Sequence, residues 1–135
     1  YFIEASIKMG VSYQIQGRIN EGFYDTSVEQ TLNREFCYWK EIRHRIFDII
    51  KGKRLPLSCK IVLGLSKQSI SYLIAHNNSS FREEDIEGIY VNILYDPKNL
   101  LITTGISYKN FSLDKSLEYA FDEYLAKFLK EKAVI

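Results

Sequence analysis

Arg43 is the residue whose type and position most directly suggest chemistry. On a helix that turns about 100° per residue, Arg43 lies close in angle to Trp39 and Ile46, inside an apolar stripe. A guanidinium keeps its charge, so burial there requires a hydrogen-bonded carboxylate or a bound anion. Three interpretations stay open: a structural ion pair, a side chain that reaches past the stripe into water, and a small-molecule or anion site. The carboxylates that could pair with it are Glu35, Asp114 and Glu118.

A basic segment is the second candidate site. Residues 40–60 carry seven Lys and Arg residues against two acidic ones, a local excess of five positive charges. Such a surface suits nucleic acid or another polyanion, but cations near a helix C-terminus also interact favourably with the helix dipole. The sequence contains no recognisable nucleic-acid-binding module, so a solvated helix face remains the alternative. The candidate binding residues, called here the basic surface, are Lys40, His44, Lys51, Lys53 and Arg54.

The sequence patterns of common enzymes and metal sites are missing. There is no Gly-x-Ser-x-Gly elbow, no Gly-x-Gly-x-x-Gly run and no phosphate-binding loop. Cys37 and His44 are separated by about two helical turns, or ~10 Å, too far for a nucleophile–base hydrogen bond. With Cys59 and His76 they also lack the short spacing of a structural zinc site. We therefore expect no catalytic residue, no metal and no cofactor, and we favour a protein that is not an enzyme.

Composition favours a single folded domain over residues 1–135. The chain is 46% hydrophobic and 26% charged, which excludes intrinsic disorder, and its net charge of +1 argues against a general polyanion binder. Two cysteines are too few for a disulfide scaffold and suit a reducing, cytoplasmic setting. No apolar run approaches the ~20 residues of a membrane span, so we expect no membrane partner.

The first twenty residues alternate between apolar odd positions and polar even positions, the pattern of a half-buried strand pair. For the odd positions of both strands to share a face, the loop between them must contain an odd number of residues. We therefore predict a three-residue hairpin loop, Met9-Gly10-Val11, with Gly10 in the left-handed conformation.

A long helix is predicted next. Two overlapping capping boxes, Thr26 with Glu29 and Ser27 with Gln30, would start it, and Gly52 would end it after about Lys51. Its inward stripe comprises Leu32, Phe36, Trp39, Ile42, Ile46, Ile49 and Ile50.

The rest of the chain predicts a strand over 58–65, a short helix capped by Ser66, a second hairpin with its turn at 96–99, and a final helix capped by Ser112. The order is ββαβαββα. This is an α+β fold: an antiparallel sheet of about five strands with the long and C-terminal helices packed on one face.

The aromatic residues divide into core and surface. Tyr38, Tyr119 and the pair Phe23-Tyr24 fall at polar or loop positions, and exposed aromatics beside arginines are common at interfaces. A homodimer or protein-partner surface is therefore plausible. The aromatics at core-facing positions are Tyr13, Phe36, Phe47, Tyr95, Phe121, Tyr124 and Phe128.

Several segments resemble a family of uncharacterised proteins from clostridial-type bacteria. The matching stretches include Trp39-Lys-Glu-Ile-Arg43, Ile50-Lys-Gly-Lys-Arg-Leu-Pro-Leu57 and Phe111-Ser-Leu-Asp-Lys-Ser-Leu-Glu118. Further matches are Gly17-Arg-Ile-Asn20 with Phe23-Tyr24, Asn92-Ile-Leu-Tyr-Asp96, Thr104-Gly105 and Asp122-Glu123. The resemblance implies a domain of unknown function and carries over no activity or site. It also implies an N-terminal segment before Tyr1 that this sequence lacks.

Function stays open at the level of sequence. The leading hypothesis is a non-catalytic, cytoplasmic binding or assembly module that associates with itself. The alternative is a nucleic-acid-associated protein that uses the basic surface. The third hypothesis is small-molecule or anion binding around Arg43.

Overall fold

The structure is a computed structural model that describes residues 1–23, 34–77, 81–110 and 113–131. Its five strands form one antiparallel sheet in the order β2-β1-β3-β4-β5, which confirms the predicted α+β class and the order ββαβαββα. Short 3₁₀ turns occupy Glu21–Phe23 and Glu83–Asp85. The elements are β1 (Phe2–Lys8), β2 (Ser12–Gln16), α1 (Trp39–Ile50), β3 (Ser58–Gly64), α2 (Lys67–His76), β4 (Ile86–Tyr95), β5 (Leu100–Tyr108) and α3 (Ser116–Glu131).

The first hairpin has the predicted loop length but not the predicted loop conformation. Lys8 lies opposite Ser12, which leaves three residues in the loop, and the Met9 amide donates to the Val11 carbonyl at 3.1 Å. Gly10 does not have a positive φ, so the prediction that it is left-handed is wrong; the closing hydrogen bond forms without it. Gly52, with φ +154°, follows α1 as predicted for the end of a helix.

A β-bulge in β1 buries a residue that simple alternation would expose. Ala5 and Ile7 lie on the buried face, as their odd numbers predict. The register between β1 and β3 shifts between Phe2 and Glu4, and this extra residue changes the phase of the strand. Phe2 therefore joins Ala5 and Ile7 on the buried face and is fully buried, although its number is even.

The first long helix begins later than the sequence predicts. Phe36 forms a β-bridge with Arg18, and the Cys37 amide donates to the Gly17 carbonyl at 2.9 Å, so this segment is extended. The helix starts only at Trp39 because the preceding backbone groups bond to the chain that follows β2. The predicted capping boxes over 26–30, and Leu32, lie outside the described residues.

The chain forms two compact units. The first comprises Tyr1–Gly64 and Asn92–Ile102, and the second Leu65–Val91 and Thr103–Ile135. The core of the first unit is a cluster of Phe2, Ala5, Ile7, Ile46 and Cys59. The second unit buries Leu73, Ile89, Leu117 and Phe121.

Four aromatic residues that the sequence places in the core are substantially exposed. Phe47 is 54% exposed although it packs edge-on against Trp39, with ring centroids 5.9 Å apart. The apolar stripe of α3 is buried only at Leu117 and Phe121, in the first turns of the helix. The other three exposed aromatics are Tyr13, Tyr124 and Phe128.

Candidate ligand-binding groove on the sheet

Arg43 is exposed, which agrees with the interpretation in which its side chain reaches past the apolar stripe into water and not with a buried ion pair. The buried side of α1 is narrow: Ile46 alone on that helix is fully buried, and Trp39 and Ile42 are half-buried. Arg43 lies at the margin of this stripe, where its long side chain reaches solvent. Glu35 pairs with Arg18 instead, and Glu118 with Lys115 at 3.4 Å.

The members of the basic surface are all exposed. Two of them contact neighbouring side chains: Lys51 Nζ lies 3.0 Å from the Asp48 carboxylate, and Lys40 Nζ lies 5.7 Å from the Tyr38 ring centroid. Exposed ion pairs of this kind contribute little to stability, so these lysines remain accessible to a partner.

Tyr38 is the centre of a structural cluster before α1. Its ring stacks on Tyr1 with centroids 5.4 Å apart, and the Arg34 guanidinium lies 4.2 Å from its centroid. Arg34 also pairs with Glu41, and this bond lowers the pKa of the Glu41 carboxyl and raises that of Arg34. The Tyr38 amide donates to Glu41 Oε1 at 2.8 Å, so the cluster caps the helix.

A groove of about 700 Å³ lies on the first unit and crosses β1, β3, β4 and β5. Cys59 and Tyr95 turn toward the buried cluster that contains Ile46, which places α1 on that face of the sheet. The side chains next to them along each strand point to the opposite face, called here the open face. The groove occupies the open face.

One half of the groove is polar and basic. In the register of β1 with β3, Lys8 lies opposite Ser58, and Ser6 lies opposite Lys60. All four residues share the open face, because directly opposed residues of a sheet point the same way. Lysine and serine therefore alternate among the four neighbouring positions of this face. These four residues are called here the Lys–Ser array.

The other half of the groove is apolar. Leu94 precedes Tyr95 on β4 and so points to the open face. Asp96 and Asn99 exchange both backbone hydrogen bonds, at 3.0 and 3.2 Å, a pairing that places Leu101 opposite Leu94. Leu94 is 36% exposed and Leu101 54% exposed, so the lysines face a strip of accessible leucine surface across the sheet.

The charges at the groove are unbalanced. Asp96 lines it, but its Oδ1 accepts hydrogen bonds from the backbone amides of Lys98 at 2.8 Å and Asn99 at 2.9 Å. Lys8 and Lys60 form no ion pair with any described residue. The groove thus offers two cationic donors beside an apolar surface, a combination suited to an anion that also carries an apolar part.

Sequence reasoning did not single out the groove. The alternation of the first strand places Ser6 and Lys8 on its polar face, and Lys60 belongs to the basic segment, but the pairing of β1 with β3 is not encoded locally. The available signal was the pair of Leu94 and Leu101 on the two strands of the second hairpin. These leucines make one face of that hairpin too apolar for open solvent.

Other groups with shifted pKa values lie away from the groove or are buried. Burial raises the pKa of both the Cys37 and Cys59 thiols. Burial, and then the charges of Glu118 and Asp114, raises the pKa of Tyr108, whose buried hydroxyl has no hydrogen-bond partner among the described residues. The part of the chain that the structure describes contains no group of three or more His, Cys, Asp and Glu side chains able to hold a metal ion.

Comparison with known proteins identifies the family of this chain. The model of DUF5721, a family of unknown function, matches residues 1–135, so the chain belongs to this family. No curated protein and no solved structure matches it. Within the described ranges, no helix is both long enough and apolar enough to cross a membrane.

Proposed function

We propose that the chain is a binding module whose ligand lies in the groove on the open face. The observation that carries the proposal is the groove itself, a cavity of about 700 Å³ with a cationic half and an apolar half. Its volume falls within the ~300–1,000 Å³ that is typical of small-molecule sites. Such sites combine apolar lining with a few convergent polar groups, and the Lys–Ser array supplies those groups.

The exposed leucines support the same proposal. Leu94 and Leu101 are 36% and 54% exposed and lie opposite each other on β4 and β5 at one end of the groove. A contiguous apolar patch that is rimmed by polar residues typically marks a binding surface. A ligand that covers these leucines removes apolar area from water, and this burial supplies binding free energy.

A neutral fluorescent probe tests the proposal. N-phenyl-1-naphthylamine brightens when it leaves water, and we expect the chain to bind it saturably. We expect Leu94→Asn with Leu101→Asn to weaken binding about tenfold, since the two leucines supply the apolar half. The matched control is Leu113→Asn, at a leucine in the second unit that is 81% exposed. Absence of saturable binding, or equal losses in both variants, would refute the proposal.

Nucleic-acid association through the basic surface is a second candidate, and the exposure of all its members favours it. The candidate predicts salt-dependent binding of a fluorescent 20-nucleotide DNA, weakened by Lys53→Ala with Arg54→Ala. Lys109→Ala with Lys127→Ala is the charge-matched control, since both lysines are exposed in the second unit. No binding at low salt, or equal weakening in the two double variants, counts against this candidate.

Self-association in a bacterial cytoplasm remains part of the proposal. Cys37 and Cys59 are free thiols, which supports a reducing compartment. The exposed leucines of the groove offer apolar area to a second copy. Sedimentation velocity over a range of protein concentrations checks this part, and a strict monomer at all concentrations would remove it.

A further inference from the structure

We infer that the groove is selective for an amphiphilic anion, a single molecule with an oxyanion head and an alkyl chain. This inference rests on the proposed function and names the ligand class of the same site. The head lies on the Lys–Ser array, and the chain lies along Leu94 and Leu101. A carboxylate and a phosphate share the required chemistry, because each accepts several hydrogen bonds while carrying negative charge.

The geometry of the Lys–Ser array suits it to bind the anionic head group. Lys8 and Lys60 are diagonal neighbours on adjacent antiparallel strands, about 7–8 Å apart at the backbone. Their ammonium groups can converge on one anion, and the hydroxyls of Ser6 and Ser58 complete the four donors. Two like charges at this spacing repel each other, and an anion between them converts that repulsion into attraction.

The remaining charged groups nearby do not satisfy the two lysines. Glu4 lies two residues before Ser6 on β1, so it is on the same face of the sheet. It forms no ion pair with Lys60 or with any other described residue. Asp96 forms no ion pair with either lysine, and its Oδ1 accepts two backbone hydrogen bonds within the turn. The array therefore presents its positive charge to the groove.

The position of Leu94 and Leu101 suits them to contact the alkyl chain. Neighbouring strands are about 4.8 Å apart, so Leu94 and Leu101 lie one and two strands beyond β3 on the same face. A head group on the array directs an attached chain across the sheet toward these side chains. An inorganic anion would leave the leucines exposed, and a neutral apolar molecule would leave the lysines without a counterion.

Displacement of N-phenyl-1-naphthylamine by decanoate and by decan-1-ol tests the inference. We expect decanoate to displace the probe at a concentration about tenfold lower than decan-1-ol, and added NaCl to weaken decanoate only. Lys8→Met with Lys60→Met should remove this preference while the neutral probe still binds. The control, Lys98→Met with Lys109→Met, should retain the preference.

The outcomes separate the inference from the proposed function. If the probe binds but decanoate and decan-1-ol displace it equally well, the anion preference is refuted and the binding module stands. If the probe does not bind at all, the proposed function fails. Sedimentation with vesicles of phosphatidylglycerol and phosphatidylcholine provides a third arm: capture by vesicles without displacement by decanoate overturns the single-molecule ligand. If the Met variant fails to fold, two other measurements still test the preference for decanoate. Ser6→Ala with Ser58→Ala should reduce the preference, and added NaCl should reduce it in the unaltered chain.

Discussion

Arg34 and Glu41, seven residues apart, form a two-point ion pair that joins the extended segment before α1 to the first turn of that helix. Arg34 Nη2 lies 3.1 Å from Glu41 Oε2, and Nη1 contacts Oε1. The same Oε1 also accepts the Tyr38 amide at 2.8 Å. One carboxylate therefore fixes both the start of the helix and the direction from which the chain enters it.

Glu41→Gln should destabilise the chain by about 1 kcal/mol at pH 7, because it removes the charged partner of Arg34 while it leaves an amide oxygen that can still accept the Tyr38 amide. The pKa of Glu41 is lowered from its ordinary 4.5 by the bond to Arg34. A lowered folded-state pKa means that this stabilisation is present above pH 4.5 and is lost as the pH falls through the folded value. Urea unfolding of both proteins between pH 7 and pH 3 should show their difference shrinking toward zero.

The control for this series is Glu123→Gln. Glu123 is exposed on α3 and forms no ion pair with a described residue, so its substitution should change the free energy of unfolding by less than about 0.5 kcal/mol. A Glu41→Gln effect that is equally large at pH 3 and pH 7 would contradict an electrostatic cause.

Gly17→Ala should destabilise the chain by about 3 kcal/mol. A Cβ at position 17 would lie 2.0 Å from the Phe2 carbonyl oxygen, and backbone cannot move aside as a flexible side chain does. Gly10→Ala is the matched control, since no atom of the described residues lies within 4 Å of its Cβ position and its φ is not positive. Chemical denaturation should separate the two variants clearly, and equal stabilities would show that β1 and the residues after β2 lie farther apart.

Ile46→Ala should cost about 3 kcal/mol, because Ile46 is fully buried in the cluster of the first unit and its truncation leaves a cavity. Leu57→Ala, at a leucine that is 68% exposed, should change stability by no more than about 0.5 kcal/mol. Thermal and urea unfolding of the two variants checks this contrast. A small effect of Ile46→Ala would mean that α1 does not pack on the sheet through this residue.

Both thiols should react slowly in the folded chain, because burial raises their pKa values and the thiolate is the reactive form. Cys59, which is 8% exposed, should react with Ellman's reagent at pH 8 more slowly than Cys37. The variants Cys37→Ser and Cys59→Ser each leave one thiol and assign the two rates. If Cys59 reacted as fast as free cysteine in the absence of denaturant, it could not belong to the buried cluster.

Much of the fold follows from local patterns, and the departures have specific physical causes. The alternation of apolar and polar residues predicted the length of the first hairpin loop. An odd number of loop residues is needed for the apolar positions of both strands to share a face. Alternation could not reveal the burial of Phe2, since the bulge depends on the pairing of β1 with β3. The helical pattern continued back through Phe36, but tertiary hydrogen bonds of the Cys37 segment outweigh helix propensity there.

The candidate site was less predictable than the fold. The basic surface is readable because its members are close in sequence. Lys8 and Lys60 are brought together only by strand pairing, and Leu94 reaches them only through the order β1-β3-β4. Burial and exposure of Arg43 stayed alternatives at the level of sequence, because the angle of a residue around a helix does not tell how wide the buried stripe is.

The first unit is not a continuous stretch of chain: Tyr1–Gly64 is completed only by Asn92–Ile102. During synthesis, the segment with the lysines therefore leaves the ribosome well before the leucines that form the other half of the groove. The nascent chain holds an unpaired edge on β3 until β4 arrives, and unpaired edges invite association with other chains. The groove is thus completed late in translation, after Leu101 has emerged, and a product truncated before Leu94 has the cationic half alone.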